Sequence, residues 1–230
     1  MDRLLTGGGY MPLTNPAEEL VRLGHGHDVP VYPCINCDAP IPGNDAELRA
    51  AASNLLWAGA DGIYLWNYHY RLVARLGYGR PGDEAYDLLD EIGSASALQY
   101  RDKGFSLERE VGVTSYARAC HPAQLPAKID GGGRGTALQL RVGDDVAAVE
   151  RAGRLAKATL RLGLSGVPGG TTAEVDLNGT ALGSGATSDG AVTLEVAGSA
   201  VRQDDNQLLV SVAGSATAVL ETVSLGVGYR

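Results

Sequence analysis

The sequence predicts an α/β region followed by an all-β region in one polypeptide. Up to about residue 92, short apolar β-branched runs alternate with segments of helical period. From Leu125 the pattern changes to period two and is cut repeatedly by Gly, Asp and Asn turns. Aromatic usage divides the same way: nine of the ten Tyr and both Trp precede residue 117, and Tyr229 is the only aromatic after Gly131.

In chain order, Arg3-Leu4-Leu5-Thr6 reads as a strand entering Gly7-Gly8-Gly9-Tyr10. The glycines precede no Lys-Ser/Thr and form no G-x-G-x-x-G, so they read as a sharply turning loop rather than a phosphate cradle. Asn15 as cap, Pro16 in the first turn and Glu18 and Glu19 behind it open a helix, with Leu20, Val21 and Leu23 as its apolar side and Gly24 and Gly26 at its end. His25 and His27 fall in the helix-to-strand turn, opposite the strand carboxyl ends, and read as surface residues. Val29 to Ile35 is the next strand. After a loop from Asp38 to Asn44, a helix from Asp45 to Gly59 carries Leu48, Ala51, Ala52, Leu55 and Leu56 on one side, and a strand from Gly62 to Trp66 follows. A loop with Gly77, Gly79, Pro81 and Gly82 leads to a helix from Asp83 to Ile92, and Ser94 caps a short turn reaching Leu98 and Tyr100. The expected division is an α/β domain over 1–105, a connector over 106–124 and a β-sandwich over 125–230.

The second region offers seven candidate strands: Leu125 to Ile129, Ala137 to Val142, Ala158 to Leu164, Ala173 to Leu177, Ala191 to Val196, Gln207 to Val212 and Ala218 to Tyr229. Asn178-Gly179 between apolar runs is a strong hairpin signal. Short strands with such turns predict an antiparallel sandwich. The Asp pairs 144/145 and 204/205 are explained by turn formation without calcium.

Several function classes lose support at once. Net charge is −8 and no Lys/Arg cluster could neutralise a row of phosphates, so no nucleic-acid partner is expected. No run approaches the roughly 20 apolar residues of a membrane span, and Met1-Asp2-Arg3-Leu4-Leu5 lacks the apolar core of a signal peptide, which leaves localisation open. Three cysteines make no disulfide framework. Cys34-Ile35-Asn36-Cys37 has no second C-x-x-C, and Cys120-His121 is a poor complement to it, so no metal and no cofactor is expected.

Leu-Leu-Thr-Gly-Gly-Gly-Tyr-Met-Pro, Val-Pro-Val-Tyr-Pro-Cys-Ile and Trp-Ala-Gly-Ala-Asp-Gly-Ile-Tyr-Leu-Trp-Asn-Tyr resemble the closing strands of glycoside-hydrolase-like TIM-barrel proteins. The second region is similar to the jelly-roll, galactose-binding-like modules appended to carbohydrate-active enzymes. The resemblance implies the last three βα units of a (β/α)8 barrel followed by a jelly-roll-like β-sandwich. It also implies a carboxyl-terminal fragment, with a missing amino-terminal barrel half or another chain needed to cover the sheet edge. Such a fragment is expected to act on or bind carbohydrate. Glycoside hydrolysis takes two carboxyl groups, and Asp38 is the one carboxylate at the expected seventh-strand rim, so the chain is expected to be inactive alone. At the strand ends Trp66 and Tyr68 offer rings for stacking on a pyranose, while Tyr10, Asn36 and Asn67 offer hydrogen bonds to hydroxyls. Alternation puts Trp66 on one face with Tyr64 and Tyr68. The other reading is a non-catalytic module that attaches to carbohydrate or protein.

Overall fold

The computed structural model describes residues 2–7, 17–37, 44–68, 86–109, 123–132, 135–214 and 217–230. They fall into two compact units, the first reaching Lys103 and the second beginning at Gly104.

The first unit contains β1 (Leu4–Thr6), α1 (Ala17–His25), β2 (Val31–Asn36), α2 (Asp45–Trp57), β3 (Tyr64–Trp66), α3 (Asp87–Ile92) and α4 (Ala95–Leu98). The three strands are parallel in the order β1-β2-β3, pairing Leu4 with Val31 and Ile35 with Leu65. Helix α2 starts where its chemistry places it: Asn44 is extended, and its Oδ1 accepts a 3.0 Å hydrogen bond from Glu47 N. Ser94 does the same for α4, its Oγ accepting from Ala97 N at 3.2 Å. The apolar sides of the helices meet one face of the sheet, where Val31, Ile35, Leu48, Ala52 and Leu55 form the core with Leu88, Ile92 and Leu98, and Leu4 and Leu65 pack against it. Alternation turns Leu5, Tyr32, Tyr64 and Trp66 to the opposite face.

The part-barrel expectation is overturned. Among the described residues strand outweighs helix, the helices are short, and the three sheets are all open. A barrel needs hydrogen bonding to run unbroken around the ring. Here β1 and β3 are edges of a three-stranded sheet, and most of the strand content lies in a β-sandwich.

The second unit is that sandwich. Its strands are β4 (Lys103–Ser106), β5 (Ala127–Asp130), β6 (Thr136–Val142), β7 (Leu155–Ser165), β8 (Thr172–Leu177), β9 (Thr180–Ala186), β10 (Ala191–Glu195), β11 (Asp204–Val212) and β12 (Thr217–Tyr229). One sheet has the order β10-β7-β12-β4, with β5 also pairing β12, and the other has the order β6-β11-β8-β9. A short helix α5 (Val146–Arg151) follows β6, started by Asp145, whose Oδ1 accepts from Ala148 N at 2.8 Å. Alternation delivers Leu160, Leu162, Leu164, Leu208, Val210 and Val212 to the core. Along β12 the buried set runs Ala218, Leu220, then Val223, Leu225, Val227. The register shift between Leu220 and Thr222 inserts one residue and resets the phase, so both halves of the long strand face inward. Asn178 and Gly179 take φ of 57° and 84°, the left-handed pair of a two-residue hairpin, and join β8 to β9. Residues 103–106, which the sequence leaves at the tail of the α/β region and the start of the connector, form β4 and bury Phe105.

Candidate functional site

Strands β2 and β3 end side by side. Asn36 is in register with Trp66, and Cys37 N donates to Trp66 O at 2.9 Å, so the carboxyl ends of the two strands are tied together. Trp66 is 40% exposed although it ends a strand. Its indole is propped by Tyr64, two residues earlier on the same face, with ring centroids 6.3 Å apart and planes at 68°. That edge-to-face arrangement is the favourable one for aromatic pairs. An indole held in this way can offer an apolar surface to a ligand without losing much freedom on binding.

Asn67 takes φ of 56°. Asn tolerates this left-handed conformation better than other side chains, and it ends the strand alternation here. Tyr68 therefore does not share a face with Trp66, as alternation alone predicts; it packs against the helical core on the other side. Asn36 is buried, 2% exposed. Tyr10 and Asp38 lie outside the described residues. Cys34 and Cys37 are both buried, and among the described residues no group of three His, Cys, Asp or Glu could hold a metal ion.

The Gly59-Ala60-Asp61-Gly62 turn, which carries much of the family resemblance, does its work at the amino end of these strands. Gly59, at φ of 93°, follows the end of α2. Asp61 Oδ2 accepts from Val31 N at 2.7 Å and lies 2.8 Å from His25 Nε2, while Asp61 N donates to Val31 O at 3.0 Å. The His25 hydrogen bond first, and the Val31 amide second, hold the Asp61 carboxyl below its ordinary value. Gly62 lies under the Tyr32 ring, where an added Cβ would come within 2.7 Å of Tyr32 Cε1. His25 is thus a surface residue with a structural partner, tying the end of α1 to the turn before β3.

The sandwich has a shallow hollow of about 240 Å³ lined by Glu150, Leu155, Lys157, Glu195 and Val196. Both Glu150 oxygens are engaged at its rim, accepting from Gly198 N and Ser199 N at 2.9 Å each. Lys157 and Glu195 face each other at 3.7 Å on the surface. No motif in the sequence pointed to this hollow, because its residues come from α5, β7 and the end of β10.

No protein-family model matches the chain, and no curated protein matches it in sequence. Solved structures that resemble it distantly include an enzyme and a toxin. One is a β-porphyranase of glycoside hydrolase family 86 from the human gut bacterium Bacteroides plebeius, at 12% identity and a TM-score of 0.32, over 56% of this chain and 21% of that one. The other is the insecticidal delta-endotoxin Cry8Ea1 from Bacillus thuringiensis, at 10% identity and a TM-score of 0.32, over 55% of this chain and 24% of that one. The chain thus matches less than a quarter of the length of either structure, and at this level of likeness neither bears on its activity. Among the described residues no helix is long and apolar enough to cross a membrane.

Proposed function

We propose that the chain binds carbohydrate without cleaving it, at the carboxyl end of the parallel sheet, with Trp66 as the stacking platform. The observation that carries this reading is the exposed indole of Trp66 held edge-on by Tyr64. Pyranose rings present an apolar C–H face, and an immobilised aromatic ring is its natural complement. Asn67 at the same strand end supplies an amide, the group that matches sugar hydroxyls in both donor and acceptor capacity, while Asn36, in register with Trp66 but buried, backs the strand end rather than reaching a ligand. The reading of binding without cleavage rests on the sequence, in which Asp38 is the one carboxylate at the expected seventh-strand rim, whereas glycoside hydrolysis takes two carboxyl groups.

Trp57 and Trp66 are the two tryptophans, so a Trp57→Phe background makes Trp66 the sole indole reporter. Titration of this variant with a panel of neutral oligosaccharides is expected to give a saturable change in emission. Trp66→Ala, followed by calorimetry, is expected to weaken binding by about tenfold, the worth of roughly one aromatic contact. Affinity unchanged in Trp66→Ala would sink the proposed site, and measurable glycoside turnover by the chain would replace binding with catalysis.

A further inference from the structure

We propose that the sandwich pairs with a second copy of itself through the open edge of β9. Among the described residues strand β9 ends the sheet β6-β11-β8-β9, hydrogen-bonded to β8 on one side only. An open strand edge is a template for another strand, and proteins that stay apart obstruct it.

The opposite edge of the same sheet is obstructed in a specific way. Gln124 lays its side-chain amide along β6, donating from Nε2 to Gln139 O at 2.8 Å and accepting at Oε1 from Gln139 N at 2.7 Å. One side chain thus imitates a neighbouring strand and occupies both outward backbone groups of Gln139. Other edge strands of the sandwich carry charge, which discourages pairing: Lys128 and Asp130 in β5, Arg141 in β6 and Glu195 in β10. Strand β9, Thr-Ala-Leu-Gly-Ser-Gly-Ala, has neither a charge nor a proline, and most of its residues are exposed.

Its inner face is already used. An added Cβ on Gly185 would come within 2.6 Å of Val192 Cγ1, so the strand lies close against β10 across the sandwich. What remains is the edge. A second copy suits it better than a foreign peptide for two reasons. Edge recognition of foreign peptides draws its specificity from side-chain pockets, whereas β9 presents mainly Ala, Gly, Ser and Thr and so offers backbone. A two-fold contact also sets this strand against an identical strand, so on a chain of net charge −8 it is favoured where charge is absent. The run from Leu177 to Ser188 carries none. The register shift near Gly183 limits the regular part of β9 to Gly183–Ala186, paired with Thr172–Val175, so the contact is small and the dimer reversible.

The test is sedimentation of the full chain over a wide concentration range, with hydrogen exchange on the same samples. Expected are a mass rising towards twice the monomer and exchange at 180–186 slowing as concentration rises. Ser184→Lys and, separately, Ala181→Lys are expected to return the monomer with circular dichroism and melting temperature unchanged. A mass that stays monomeric up to the solubility limit overturns the proposal. So does a dimer that survives both lysine variants, or one that leaves exchange at 180–186 unaltered.

Discussion

Asn206 shows how much one side chain can hold at the end of the sandwich. It is 1% exposed, and its amide is fully used: Oδ1 accepts from Asn178 Nδ2 and Arg202 N, and Nδ2 donates to Arg202 O and Asp204 O, all within 2.8–2.9 Å. Truncation leaves several buried groups without partners, so Asn206→Ala is expected to cost about 3 kcal/mol in urea unfolding. Asn206→Asp is expected to be comparably harmful, because a carboxylate cannot donate to the two carbonyls. A cost below about 1 kcal/mol for both would mean that this end relaxes freely. Asp61 gives a pH dependence with a definite sign. Its folded-state value lies below the unfolded one of about 3.9, so its contribution is present above that pH and lost as pH falls through the folded value. The stability gap between the natural chain and Asp61→Asn is therefore expected to be constant near neutrality and to close from about pH 5 downward. A gap independent of pH down to acid unfolding would show that the carboxylate charge plays no part.

At the scale of elements, α1 docks on β2 through Gly24. An added Cβ there would lie 2.3 Å from Val31 Cγ2 and 2.9 Å from the Val29 carbonyl oxygen. The second contact is backbone and cannot swing away, so Gly24→Ala is expected to destabilise the first unit by about 1–3 kcal/mol despite Ala's better helix propensity. Equal or greater stability would mean that α1 can lift off the sheet at no cost. The Gln124 amide along β6 makes a different prediction. Its removal in Gln124→Ala exposes a second strand edge, and association through two unlike edges need not close on itself. Larger, open-ended assemblies are expected in light scattering, and unchanged scattering would show that Gln124 is not a barrier.

For the whole molecule, each unit has its own core and both tryptophans lie in the first. Tryptophan emission therefore follows the α/β unit, while far-ultraviolet circular dichroism follows both. Leu162 is fully buried in the sandwich, and Leu162→Ala is expected to lower sandwich stability by about 2–5 kcal/mol. The dichroism transition should move to lower urea while the emission transition holds its midpoint. Midpoints that move together would show that the two units unfold as one cooperative body.

Much of this molecule was legible without coordinates wherever the information is local. Asn44 and Ser94 start helices because a short polar side chain satisfies an amide three residues on. Asn178-Gly179 turns because its backbone tolerates positive φ, and the seven strands read from period two all form. What sequence alone could not decide is which strands are neighbours and whether a sheet closes. Every sandwich strand shows the same alternation, so the pattern does not distinguish the partner of β7 from that of β11; burial and loop-closure entropy across distant parts of the chain select it. The three βα units likewise repeat a local rhythm that both a barrel and a small open sheet satisfy, and only tertiary pairing leaves β1 and β3 as edges. Strand β9 escaped because its glycines and small residues blur the alternation, β4 because it is four residues long. Alternation puts Tyr68 on the face of Trp66, but one left-handed residue, Asn67, interrupts the strand and turns Tyr68 to the core. The Gln124 clamp depends on a side chain meeting a strand fifteen residues away, a contact that exists only once the sandwich has formed.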